Sequence, residues 1–479
     1  MKINAQQIYY RKIWRFGIAL FAVLLLSGCD TEIAQTPRQT PLTDRFDPKE
    51  QSYAFVIPNL PTPDGIAGIK ASDCGVCHRA IYEEWQNSTH ASALRDIQFQ
   101  SELTKPDSPK WICLNCHIPV QNQREKIITA LIENDIFRPA TSHNPQFDRA
   151  MQREGVTCAS CHVRVDRSTG KSFIIGPNGS KAAPHPVRKN REHLRNICTR
   201  CHYPMGEGLT PNLICWFYTE AENKAAQPLL KKNFGKAMDC VDCHMPEQQR
   251  LIAEDFQHLP ERAVNRHVWF GGGVPKWFDR YATLLDRGYR PGLDVTVGDF
   301  QPLQSGKAFR LRITLKNARA GHDLPTGDPE RFIKAIARVF DMNGTVLQEE
   351  TLRIGQTWAW SPARKLGDNR LKYGESRLWE VVFPREISQK ADRLEIVVYH
   401  VKLRTETAAH IRNAENIDEK LFENGQKYTR NLVDNYPLAS YIFKEEIDLH
   451  TGKRRRYSLP ELIQLSQNER GKPLDSRDY

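Results

Sequence analysis

After its first 26 residues, this 479-residue chain has no long uncharged apolar run. A transmembrane helix needs about 20 predominantly apolar residues, so no membrane span is expected in the rest of the chain. Regular hydrophobic periodicity is scarce between residues 71 and 290, where helix and strand breakers are frequent. An ordinary core of amphipathic elements is not expected there. Internal repetition is also lacking. Five short Cys motifs recur at gaps of 39, 45, 40 and 42 residues, but the stretches between them are not self-similar, which argues against a solenoid.

What the chain does have is Cys-x-x-Cys-His, five times: Cys74–His78, Cys113–His117, Cys158–His162, Cys198–His202 and Cys240–His244. A shuffled chain with the same 12 Cys and 15 His would hold roughly 0.01 such runs. Zinc ribbons use paired Cys-x-x-Cys knuckles but need no His after each pair. A thioredoxin-like Cys-x-x-Cys belongs in a βαβ unit and occurs once. The remaining reading is covalent c-type haem attachment. Two thiols add across the two vinyl groups of one haem, and the next residue offers its imidazole to the iron. Five haem c groups are therefore expected. Their thioethers would come from Cys74, Cys77, Cys113, Cys116, Cys158, Cys161, Cys198, Cys201, Cys240 and Cys243. Their proximal ligands would be His78, His117, His162, His202 and His244. Haems packed together would also supply the core that the side chains of this region do not.

Two Cys remain, Cys29 and Cys215. Lys2, Arg11, Lys12 and Arg15 precede the apolar run Phe16–Leu26, the pattern of a signal peptide. Leu26-Ser27-Gly28-Cys29 resembles the lipobox of bacterial lipoproteins. That resemblance implies cleavage before Cys29 and lipidation of its thiol. Asp30 would then favour retention at the inner membrane. Cys215, in Leu213-Ile214-Cys215-Trp216-Phe217, reads as a buried thiol packing as a small hydrophobe. Removing the four basic residues before Cys29 lowers the formal net charge from +11 to +7. Five haems with ionised propionates add roughly −5 when oxidised and −10 when reduced. The holoprotein is near neutral, so the basic pI is no argument for a nucleic-acid partner. Lys453-Arg454-Arg455-Arg456 reads as a solvated turn.

The stretches Cys74–Leu94, Gly155–His162, Cys240–Pro246 and Arg266–Gly273 resemble the multihaem cytochrome c group that includes the tetrahaem nitrification cytochrome and relatives of hydroxylamine oxidoreductase. The resemblance covers about 71–275. In such proteins the His of a Trp-x-x-Ser-x-His segment serves a neighbouring haem, which implies a distal role for His90. The His before the Gly-rich stretch implies the same for His267. A fifth haem and a β-rich region depart from the tetrahaem pattern, so the pairing of ligands to haems does not carry over.

The other distal candidates come from position alone. His185 lies in the rigid Pro184-His185-Pro186, with His193 as its competitor. His143 follows the second motif, His258 competes with His267, and His322 sits in a Gly- and Pro-rich loop, Ala320–Gly327. His400 alternates with Leu394, Ile396 and Val398, as a core His on a strand would. Met205 is a weaker axial alternative.

The expected fold class is α+β, with five parts. A signal peptide spans 1–28 and a flexible tether 29–70. A helical and irregular pentahaem domain spans 71–290, with Ile127–Ile132 read as helical. A small antiparallel β-sandwich spans 291–405, carried by the alternation of Phe309–Leu315, by Ile333–Phe340, Leu378–Phe383 and Leu394–Leu403, and by Asn343-Gly344, which suits a type I′ hairpin. A helical extension spans 406–479. The expected function is a lipid-anchored electron carrier facing the periplasm or cell surface, exchanging electrons with a quinol-linked donor or a periplasmic acceptor. The alternative is an oxidoreductase acting on a small nitrogen or sulfur compound at one five-coordinate haem. No Cys-x-x-Cys-Lys variant is present to mark such a haem.

Overall fold

The computed structural model describes residues 37–204, 209–210, 218–269, 271, 274–299, 307–360 and 362–479. Cys29, the signal segment, Met205 and Cys215 lie outside the described residues. The described chain is mixed α and β, with five small sheets. Among the described residues no helix is long and apolar enough to cross a membrane.

The C-terminal half is built on two antiparallel sheets. One has three strands, with Phe309–Asn317 between Ser376–Phe383 and Leu293–Val297. The other runs Ala363–Asp368, Val346–Trp360, Phe332–Phe340, Arg393–Val401, Ala439–Asp448, Arg454–Arg456. Strict alternation sends Leu311, Ile313 and Leu315 inward and Arg310 and Arg312 outward. The inward residues share one core with Ala335, Ala337, Val339, Ile396 and Val398 of the other sheet. This is the expected result of packing two half-buried antiparallel sheets face to face.

Four expectations need correction here. The extension 406–479 is not only helical: Ala439–Asp448 pairs with Arg393–Val401 and continues the sheet. The basic run is an edge strand rather than a free turn. Arg454 pairs with Glu445 and donates to Val297 O, and Arg456 donates to Val295 O, tying the two sheets together. Ile127–Ile132 belongs to a strand, Lys126–Ile132, paired with Pro139–His143. Its consecutive β-branched residues suit a pleated surface better than a helix. In the hairpin at Asp341–Gly344 only Gly344 takes a positive φ, 81°. A type I′ turn needs two such residues.

The tether is also shorter than expected. Phe46, Tyr53 and Ala54 are buried against Trp111, Ile112 and Leu131. Ile57 and Leu60 join Val120, Met151 and Val163. Enough large apolar side chains follow Phe46 to anchor this stretch despite its prolines.

Between 71 and 290 the buried apolar residues form several small clusters, whereas the sandwich has one continuous core. Short helices carry the motifs: Ala71–Gly75, Lys110–His117, Cys158–His162, Thr199–His202 and Cys240–His244. Asp239 caps the last of these, accepting from the amides of Val241 and Asp242.

Candidate haem sites

Four pairs of imidazoles face one another. Ring centroids are 6.5 Å apart for His78 and His185, 6.1 Å for His90 and His202, 6.0 Å for His162 and His267, and 6.3 Å for His244 and His322. An iron held midway by two nitrogens at bond lengths of about 2 Å would put the centroids roughly 6.3 Å apart. Each pair joins one motif His to one His from elsewhere in the chain, and the second member is one of the distal candidates His185, His90, His267 and His322.

The other ring nitrogen fixes the tautomer. Nδ1 of His78 lies 2.6 Å from Ile252 O, that of His162 2.8 Å from Ile175 O, that of His267 3.0 Å from Asn265 O and that of His322 2.8 Å from Asp323 O. A carbonyl can only accept, so Nδ1 carries the proton and Nε2 keeps its lone pair for a metal. Burial holds His90 and His267 down to about 3, and it lowers His162, His202, His322 and His185 as well. All six are neutral at pH 7, the form that ligates iron.

Local structure explains each placement. Trp85 donates to Val156 O, and Val156 N donates to His90 O, so the Trp-x-x-Ser-x-His segment is pinned beside the third motif. Gly155, at φ 64°, sits where an added Cβ would lie 2.6 Å from His90 O. Glu84 accepts from Arg250, Arg266 and the His267 amide, holding the His267 backbone. Trp269 meets both His90 and His267 edge-on. The His322 loop touches both halves of the molecule: Asn223 donates to Gly321 O and Asn317 to His322 O.

The second motif differs. His117 donates Nδ1–H to Ala93 O at 2.6 Å and is held down to about 4, mainly by burial. Among the described residues no imidazole faces it. Its ring contact is Phe99, stacked at 3.4 Å and 3° from parallel. His143, the distal candidate that follows the second motif, is exposed on the strand Pro139–His143 and faces no motif imidazole among the described residues. That strand turns its last three residues to solvent, a placement that its position after the motif did not reveal. His258, His410 and His450 are exposed, and His400 is buried in its strand. His193 lies within electrostatic reach of His162.

The motif thiols also meet between motifs. Cys74 contacts Cys158, Cys116 contacts Cys201, and Cys198 contacts Cys240. Haems attached at these positions would therefore be near neighbours.

A family model described as "Cytochrome c554 and c-prime" matches residues 73–136. No curated protein matches. Among solved structures, a penta-heme cytochrome c552 from Thermochromatium tepidum aligns over 79% of this chain and 98% of its own, with TM-score 0.50 and 17% identity. The chain has a multihaem cytochrome fold. With the five motifs, these matches support covalently bound haem c, five to the chain. The opposed imidazoles fit that cofactor in spacing, tautomer and charge. A β-glucuronidase from Bacteroides uniformis also aligns, over 24% of this chain and 12% of its own, with TM-score 0.14 and 18% identity; that likeness carries no argument.

Proposed function

We propose that this cytochrome is an electron relay, anchored at a membrane through Cys29 and working outside the cytoplasm beside a quinol-linked donor or a soluble acceptor. The four opposed imidazole pairs carry this reading. A haem held between each pair of imidazoles would have no place for a substrate at its iron and would supply electron transfer alone. Ligation roles follow the pairs: His78 with His185, His202 with His90, His162 with His267, and His244 with His322. The haem supplies the redox chemistry when bound. The protein orients four of the eight rings through carbonyl acceptors and, by burial, keeps His90, His162, His185, His202, His267 and His322 neutral. The three thiol contacts support an order of haems by motif number in which the first neighbours the third, the second neighbours the fourth, and the fourth neighbours the fifth. Stopped-flow reduction should show all five haems equilibrating together. A haem reduced independently of the others would argue against the relay.

One observation favours a second reading at a single site. Among the described residues no imidazole faces His117, so the haem of the second motif is proposed to be five-coordinate. An open iron is what reduction or oxidation of a small nitrogen or sulfur compound would need. The resemblance of the motif stretches to nitrification cytochromes is in keeping with this reading. Carbon monoxide titration of the reduced protein tests it, with one equivalent bound per chain as the expected result and none as the contrary one.

A further inference from the structure

Beside the helix that stacks Phe99 on His117, the structure buries a lysine without a hydrogen-bond partner. Lys402 is 3% exposed, and its Nζ has no hydrogen-bond partner. Asp96, 2% exposed, lies 3.6 Å away, beyond hydrogen-bond length. Asp96 is already engaged by Lys276 at 2.6 Å, by the Phe99 amide and by the Tyr436 hydroxyl. Arg331 lies within electrostatic reach of Lys402, and its Nε is also without a partner. No ion pair joins Arg331 to a carboxylate among the described residues. The nearby Asp328 accepts instead from Gln98 and the Glu330 amide.

Three cations thus lie near Asp96 and Asp328, and among the described residues only Lys276 of the three makes an ion pair of hydrogen-bond length. Buried charges in proteins are paired, because an unpaired one costs several kcal/mol. The missing counter-charge has a definite place. Asp96 caps the helix that carries Phe99, the residue stacked on His117. Lys276 acts electrostatically on His117 and His90, and Arg331 on His202. These cations therefore lie between the second and fourth motifs, whose Cys116 and Cys201 touch.

We infer that Lys402, Lys276 and Arg331 form a binding site for an oxygen-donor anion beside the haem of the second motif. Two sources share that chemistry: a propionate of this haem pair, or a small free oxyanion drawn to the open iron. Lysine and arginine suit both, since each donates charge-assisted hydrogen bonds to carboxylate and oxyanion alike. Burial alone drives the Lys402 ammonium strongly toward its neutral form, and a bound anion would hold it charged. The inference rests on the reading that the second motif carries a haem, but not on that haem being open.

The test uses the intact holoprotein, with Lys402→Met and Arg331→Gln as variants and five haems verified in each by pyridine haemochrome. Removing a cation disfavours the reduced haem, which carries the extra negative charge. A propionate occupant predicts that one haem's midpoint potential falls in both variants and that added nitrite leaves the spectra unchanged. A free-anion occupant predicts that nitrite perturbs the wild-type spectrum, with affinity at least tenfold weaker in both variants. The inference is overturned if no potential moves, nitrite acts equally on all three proteins, and Lys402→Met only raises the melting temperature, as loss of an uncompensated buried charge would. A shifted potential in a protein whose haems are all low-spin would keep the anion site and reject the open haem instead.

Discussion

His244 and His322 face each other at 6.3 Å with their rings 6° from parallel, although one belongs to the last haem motif and the other to a loop at the start of the β-sandwich. This pair couples ligation to the contact between the two halves of the molecule. His322→Ala should convert one haem from low to high spin and let it bind carbon monoxide, without loss of haem. His400→Ala, inside the sheet, should leave every haem spectrum unchanged. Absorption and EPR spectra of the two variants check both outcomes.

His143 is exposed and far from this role. His143→Ala should keep the wild-type spectrum throughout the Soret and near-infrared regions. A new high-spin band in that variant would mean that the strand Pro139–His143 rearranges on haem binding.

Glu84 organises the His267 segment through two arginines. Burial alone would raise its carboxyl, but hydrogen bonds from Arg250, Arg266 and the His267 amide outweigh that and hold it below the usual range. A depressed carboxyl contributes stability that is full above the unfolded-state value, near 4.3 for Glu. That contribution is lost as pH falls through the lower folded value. Glu84→Gln leaves two arginines without their carboxylate and should cost about 3–5 kcal/mol near neutral pH. The difference from wild type should shrink below pH 4, as denaturant melts at several pH values would show.

Membrane attachment is proposed to rest on Cys29. Cys29→Ser should release the cytochrome into the soluble exported fraction with all its haems. Retention of that variant in washed membranes would point to a different anchor.

The motifs were legible because haem attachment fixes both residue type and spacing. Distal ligands were legible where the local sequence is unusual: a His between two prolines, a His in a tight loop of two glycines and a proline, and a His five residues after a buried Trp and two after a buried Ser. His143 had only its position in the chain, and that did not foretell an exposed strand. Phe99, Lys402 and Arg331 gave no local signal. Phe99 reaches His117 from the helix Ile97–Glu102, and Lys402 reaches that helix's cap Asp96 from the end of a sandwich strand, so only folding brings them together. The strands Phe309–Asn317 and Arg393–Val401 stood out because their buried and exposed faces, or their uniformly buried runs, are complete. Val346–Trp360 did not, since its first half is largely exposed and charged.

Spin-state counting tests the ligation scheme most directly. EPR of the fully oxidised holoprotein, integrated against a standard, should give four low-spin haems for the four opposed imidazole pairs and one high-spin haem for His117. Five low-spin haems would show that a ligand reaches the second motif after all. Two or more high-spin haems would contradict the pairing of His78, His202, His162 and His244 with their partners, and with it the electron relay built on them.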